Sequence, residues 1–142
     1  MNVVFRVDAS IQMGTGHVMR CLTLADALKN QGAECYFICR EHPGNLIGLI
    51  TQRGYHVDVL PYMDLSQEDK LQNHNADLAH ASWLGTTQKT DASLCTPIME
   101  ALEPDWLIVD HYALDARWEK VLRKKKKKVM VIDDLAYRQH DC

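Results

Sequence analysis

The chain has 142 residues, 46% hydrophobic and 25% charged, with 16 basic against 19 acidic side chains and a net charge of −3. At roughly 100–200 residues per domain this is a single domain, 1–142, long enough to bury a core without cross-links. The balance excludes a disordered or fibrous protein, and no apolar run reaches the ~18–20 residues of a membrane helix.

Strand and helix signals alternate from the start. Val3 to Val7 is apolar and β-branched, as a buried strand requires. A loop with two glycines leads to Val18–Lys29, whose apolar residues recur at helical spacing until Gly32 stops them. Cys35 to Cys39 reads as the second strand, Leu46 to Arg53 as a short helix ended by Gly54, and Tyr55 to Leu60 as the third strand. From Tyr62 to Thr90 the chain is polar and weakly periodic, with a short helix expected near Gln67 to Leu78; such a stretch inside a compact domain is often a functional loop. Thr90 to Leu102 is helical, closed by the Glu103-Pro104 step. Trp106 to Asp110 is a buried strand ending in an acid, Asp115 caps a helix running to about Lys125, and Lys128 to Ile132 is the last strand. Strands separated by helices make βαβ units, hence an open α/β Rossmann-like parallel sheet with helices on both faces.

Charge and cysteines narrow the function. Arg123 and Lys124 to Lys128 hold six of the 16 basic residues, while Pro61 to Ala116 carries ten acids and two lysines. Basic charge gathered in one run, without interleaved aromatic readers, argues against a nucleic-acid partner; the run reads as the solvated end of a helix, where cations suit the dipole. Met1 to Asp8 is not a secretory leader, so a cytoplasmic location is expected, and five cysteines do not make a disulfide framework. Cys35 and Cys39 on one strand would sit roughly 13 Å apart, too far to share a metal or a bond.

Ligands of open α/β sheets bind beyond the carboxyl ends of the strands, which singles out Asp8 to His17, Arg40 to Gly44, Asp110 to Tyr112 and Asp133 to Arg138. Gly14-Thr15-Gly16-His17 is the richest of these. It fails as a dinucleotide fingerprint, since Met19 stands where a third glycine belongs, and as a P-loop, since Gly-His-Val replaces Gly-Lys-Ser. Two glycines before a helix let backbone approach a ligand, although a plain tight turn satisfies the same residues. His17 at the helix start, where the dipole favours a neutral ring, suits a general base; a histidine that only caps or packs is the alternative. Asp110, His111 and Tyr112 line the crevice opposite His17 or else form a structural turn. Asp133 and Asp134 resemble a divalent-metal pair, but neighbouring strand residues face opposite ways, so capping and hydrogen-bonding roles are preferred and no metal or cofactor is expected.

Several strings together carry a resemblance: Arg6-Val-Asp8-Ala-Ser10, Gly14 to Ala25, Trp83-Leu-Gly85, Asp110-His-Tyr112 with Trp118-Glu119, and Asp133-Asp-Leu-Ala136 with Arg138 and His140-Asp-Cys142. They resemble the UDP-2,4-diacetamido-2,4,6-trideoxy-β-L-altropyranose hydrolases of pseudaminic acid biosynthesis. The resemblance implies the N-terminal half of a GT-B-like fold and metal-independent hydrolysis of a UDP-sugar by inverting attack of water at the anomeric carbon. It makes His17 the proposed base and assigns Gly14, Thr15 and Gly16, with Asp8, Trp83, Asp110, His111 and Tyr112, to the substrate pocket. It further implies a C-terminal UDP-binding domain that this chain lacks. The 142 residues alone should then fold, bind UDP weakly, turn the UDP-sugar over very slowly or not at all, and self-associate through the face left uncovered. The acceptor-side domain of a GT-B glycosyltransferase and a non-catalytic binding module are the alternatives.

Overall fold

The computed structural model describes residues 1–62, 78–123 and 127–142. Five strands, β1 (Asn2–Val7), β2 (Glu34–Arg40), β3 (His56–Leu60), β4 (Trp106–Asp110) and β5 (Lys128–Val131), form one parallel sheet in the order β3-β2-β1-β4-β5. Between them run α1 (Gly16–Asn30), α2 (Ile47–Gln52), a single 3-10 turn (Ala81–Leu84), α3 (Gln88–Leu102) and α4 (Ala116–Leu122). Among the described residues no helix is long and apolar enough to cross a membrane.

The central strands are apolar on both faces because both faces are covered. Val3, Phe5 and Val7 of β1 pack with Val18 and Leu22 of α1 and Ile50 of α2, and Phe5 stacks on Phe37 of β2 with ring centroids 4.9 Å apart. Val4, one residue out of phase, faces the second core with Leu107 and Val109 of β4, Ala92 and Met99 of α3, and Trp118 and Leu122 of α4. Alternate side chains of one strand thus feed two cores, which is why these strands read as continuous hydrophobic runs.

Strand order fixes where a ligand can enter. From β1 the chain winds one way through β2 and β3, then returns to the other side of β1 as β4 and β5. The loops leaving β1 and β4 therefore diverge to opposite faces and open a crevice at the carboxyl ends of these two strands. Register pairs Val7 with Asp110, so the chain just after β1 meets the last residue of β4 at that crevice.

Two expectations change. The final helix stops at Leu122 rather than near Lys125, because the chain must turn back and start β5 at Lys128. Lys127 and Lys128 are consequently not the solvated end of a helix: Lys127 Nζ donates to the Met99 carbonyl at 3.1 Å, and Lys128 Nζ lies 5.3 Å from the centre of the Trp106 ring. The helix expected near Gln67 to Leu78 and the lysines at 124–126 lie outside the described residues, Leu78 itself excepted.

Candidate active site

The loop after β1 is tied at its base. Ser10 accepts from the Gly14 amide through its carbonyl (2.8 Å) and from the Met13 amide through Oγ (2.9 Å). Gly14 has φ +76°, a conformation that side chains with a Cβ resist, and nothing lies within 4 Å of where its Cβ would be. Glycine is required there by the backbone and not by packing. Gly16 also faces open space, Thr15 is exposed at the N-cap position, and no side chain caps α1. The start of α1 is thus an uncovered edge of the crevice, and His17 sits in its first turn.

His17 is the hub of a connected set of polar groups. Its Nδ1 lies 2.6 Å from Oδ1 of Asp110, at the end of β4. Arg20, one turn along α1, grips the same carboxylate twice, from Nε to Oδ2 at 2.5 Å and from Nη2 to Oδ1 at 2.6 Å. Burial pushes the Asp110 carboxyl up, but the hydrogen bonds from Arg20 and His17 outweigh it and hold the group below the usual carboxylate range. An ionised Asp110 only accepts, so Nδ1–H donates to it, and in the neutral ring Nε2 is the acceptor. No group among the described residues bonds Nε2, and it is not among the enclosed unpaired atoms. The Tyr112 ring meets the His17 ring edge-on, centroids 4.5 Å apart at 87°. Tyr112 donates its hydroxyl to Asp134 at 2.6 Å, and Asp134 reaches back to Arg20 at 3.4 Å, so two acids, an arginine and a tyrosine surround one histidine.

An aromatic wall continues from Tyr112. Trp83 lies 6.1 Å from it, His80 bridges them at 4.5 and 5.3 Å, and Tyr137 hydrogen-bonds His80 Nδ1 at 3.1 Å and donates to the Tyr112 carbonyl at 3.2 Å. The fold therefore gathers Gly14, Thr15, Gly16, His17, Trp83, Asp110 and Tyr112 at one end of the sheet.

Asp8 and His111, expected in the substrate pocket, are buried beneath the crevice, and their side chains are engaged by the protein itself. The Asp8 side chain is fully buried and its oxygens are taken by Arg6 Nη1 (2.7 Å), the Arg40 amide (2.6 Å), His111 Nε2 (2.9 Å) and His42 Nε2 (3.2 Å). His111 accepts the Ala113 amide on Nδ1 at 3.1 Å, which fixes the proton on Nε2; burial pulls its pKa down despite Asp8. Beneath them Asp91 of α3 receives Arg6 (2.6 Å), Arg40 (2.8 Å) and the indole of Trp118 (2.9 Å). This network ties three strand ends to α3 and α4 and gives the crevice a rigid floor. Arg6 in an otherwise apolar strand was its visible signal, since a buried charge needs partners.

Arg20 and His80 had no role in the sequence reading, and Tyr137 and Arg138 entered it only as part of the Asp133 to Arg138 segment. Arg20 alone had a local cue, lying three residues after His17 on the same helix face. Asp133 and Asp134 do act as hydrogen-bonding residues: Asp133 caps the Leu135 and Ala136 amides at 3.1 Å and accepts from His140 at 2.8 Å. A cleft of about 580 Å³ opens at the opposite end of the sheet, lined by Met99, Pro104, Trp106 and Lys128 among others. It contains none of the candidate residues, and the paired titratable groups at the carboxyl end make the stronger case for chemistry.

The five-stranded parallel sheet with helices on both faces is a Rossmann-like fold of the GT-B kind. It matches the crystal structure of MurG from Acinetobacter baumannii with a TM-score of 0.61 over 92% of this chain, at 14% identity; the chain spans 34% of that MurG chain. No family model matches the sequence, and no curated protein matches it.

Proposed function

We propose that this chain is the base-bearing part of a nucleotide-sugar enzyme, and that the reaction is hydrolysis of a UDP-linked 2,4-diacetamido-2,4,6-trideoxy sugar. The observation that supports it is the His17–Asp110–Arg20 arrangement at the switch point of the sheet, with Nε2 unbonded. In the proposed step a water oxygen attacks the anomeric carbon while His17 Nε2 takes its proton. The bond from that carbon to the diphosphate oxygen breaks, its electron pair leaves with UDP, and the anomeric configuration inverts. Asp110 holds the acceptor tautomer and stabilises the imidazolium; a positioned base of this kind supplies about 10²–10⁴ in rate. Trp83 and Tyr112 offer apolar ring surface for the deoxy sugar.

A glycosyltransferase acceptor domain fits the same geometry, with a sugar hydroxyl in place of water, and the GT-B-like fold favours it equally. Product analysis decides between them. UDP and free sugar formed without an acceptor support hydrolysis, whereas a requirement for an added hydroxyl acceptor supports transfer. On either reading the diphosphate is gripped chiefly by a second domain. Large apolar side chains stand exposed around this end of the sheet, at Ile11, Met19, Leu135 and Tyr137, as a face covered by such a domain or by another copy would need.

A further inference from the structure

Arg138 has no place in the chemistry above, yet it is the least satisfied charge beside it. Its side chain is fully buried, and among the described residues none of its three guanidinium nitrogens finds a hydrogen-bond partner. The acid paired with it, Asp133 at 3.3 Å, is out of line for a hydrogen bond and already accepts from His140 and two backbone amides. The guanidinium instead lies against two rings, 5.6 Å from the centre of Tyr112 and 5.4 Å from that of Tyr137. A buried arginine with five unspent donors calls for an explanation, and packing alone does not supply one.

Tyr137 is 41% exposed and is held by its hydroxyl to His80 and to the Tyr112 carbonyl. It follows Ala136, whose φ of +53° is unusual for a residue with a Cβ. A backbone outlier, a partly exposed cover and an unsatisfied cation thus lie side by side, and such outliers cluster at ligand clamps and switch segments. The other cover, Tyr112, is the ring that touches His17.

We infer that Arg138 is a masked anion subsite for a phosphate or diphosphate group, and that Tyr137 is its displaceable lid. Swinging Tyr137 out opens the guanidinium fork to the side of the crevice where His17 and Tyr112 stand, and the fork matches two phosphate oxygens. Identifying that anion with the substrate's diphosphate rests on the nucleotide-sugar reading; the subsite itself does not.

The test is calorimetric titration of the whole chain with inorganic pyrophosphate. Replacing the lid, Tyr137→Ala, should tighten binding roughly tenfold, because the open state no longer competes with a closed one. Arg138→Gln should weaken it by more than about tenfold, with Arg138→Lys between, since lysine keeps the charge and loses the fork. Tyr137 is exposed, so its variant reports even where an Arg138 variant fails to fold. Affinity unchanged by Tyr137→Ala, no binding in either protein, or binding insensitive to Arg138 would each overturn the inference. Pyrophosphate binding of the expected pattern that UDP does not compete away would leave the subsite standing and remove its identification with the substrate's diphosphate.

Discussion

Asp110→Asn is the perturbation to which the site should respond most sharply. Asp110 is 1% exposed and accepts from three protein donors within 2.6 Å, one from His17 and two from Arg20. An asparagine there has a single acceptor oxygen, and the Arg20 fork competes for it. The amide N–H₂ is then left facing His17 Nδ1, which can pair with it only by becoming an acceptor. The imidazole proton moves to Nε2, and the atom facing the crevice changes from base to donor. A loss of about 10²–10⁴ in kcat is expected, equivalent to about 3–5 kcal/mol of transition-state stabilisation, with KM little changed. The fold should lose only about 1–3 kcal/mol, since Arg20 is partly exposed and retains Asp134. The direct assay is ¹⁵N NMR of the imidazole, which separates the two neutral tautomers without substrate. The wild type should show the Nδ1–H form and the variant the Nε2–H form. The same tautomer in both proteins would refute the reasoning.

Further outcomes follow from the same contacts. Asp91→Ala leaves Arg6 and Arg40 buried without their shared carboxylate and should cost about 3–5 kcal/mol in urea denaturation, far more than a substitution at an exposed acid. Gly14→Ala should cost about 1–2 kcal/mol from its left-handed φ alone, whereas Gly44→Ala, with φ +81° and a Cβ 2.7 Å from the Ile11 amide, should cost more; equal losses would show that the close approach does not matter. Acid should destabilise the protein in two ranges. His111, its pKa lowered by burial, contributes stability that is full above about pH 6.5 and fades as pH falls through its folded value; Asp8, whose pKa is lowered by Arg6 against the opposing effect of burial, does the same below about pH 4. His140 has the opposite sign. Burial lowers its pKa, but Asp133 and Glu119 raise it further, so its contribution is full below about pH 6.5 and is lost as pH rises through its folded value; His140→Gln should abolish that alkaline loss in stability measured against pH.

The central strands were readable because burial on both faces leaves mostly apolar residues to write them with, and Trp106-Leu-Ile-Val-Asp110 marks its end by its first acid. The same end marked the site, since His17 and Asp110 lie beyond strands that turn out to be neighbours. What sequence pattern could not show is the pairing itself. Arg20 gains its meaning from a carboxylate 90 positions away, and Asp8 looks like a ligand until the fold surrounds it with Arg6, His42 and His111. The aromatic wall was hidden for the same reason: His80, Trp83, Tyr112 and Tyr137 come from three separate loops, with no periodicity to join them.

The claim that His17 acts as base toward water is tested most directly by single-turnover UDP release from the UDP-linked diacetamido sugar, with protein in excess, in H₂¹⁸O and without any acceptor. The account predicts slow release, one ¹⁸O at the anomeric carbon of an inverted free sugar, and a drop of about 10²–10⁴ in His17→Asn. Release that persists in His17→Asn, or that requires a hydroxyl acceptor, would contradict it.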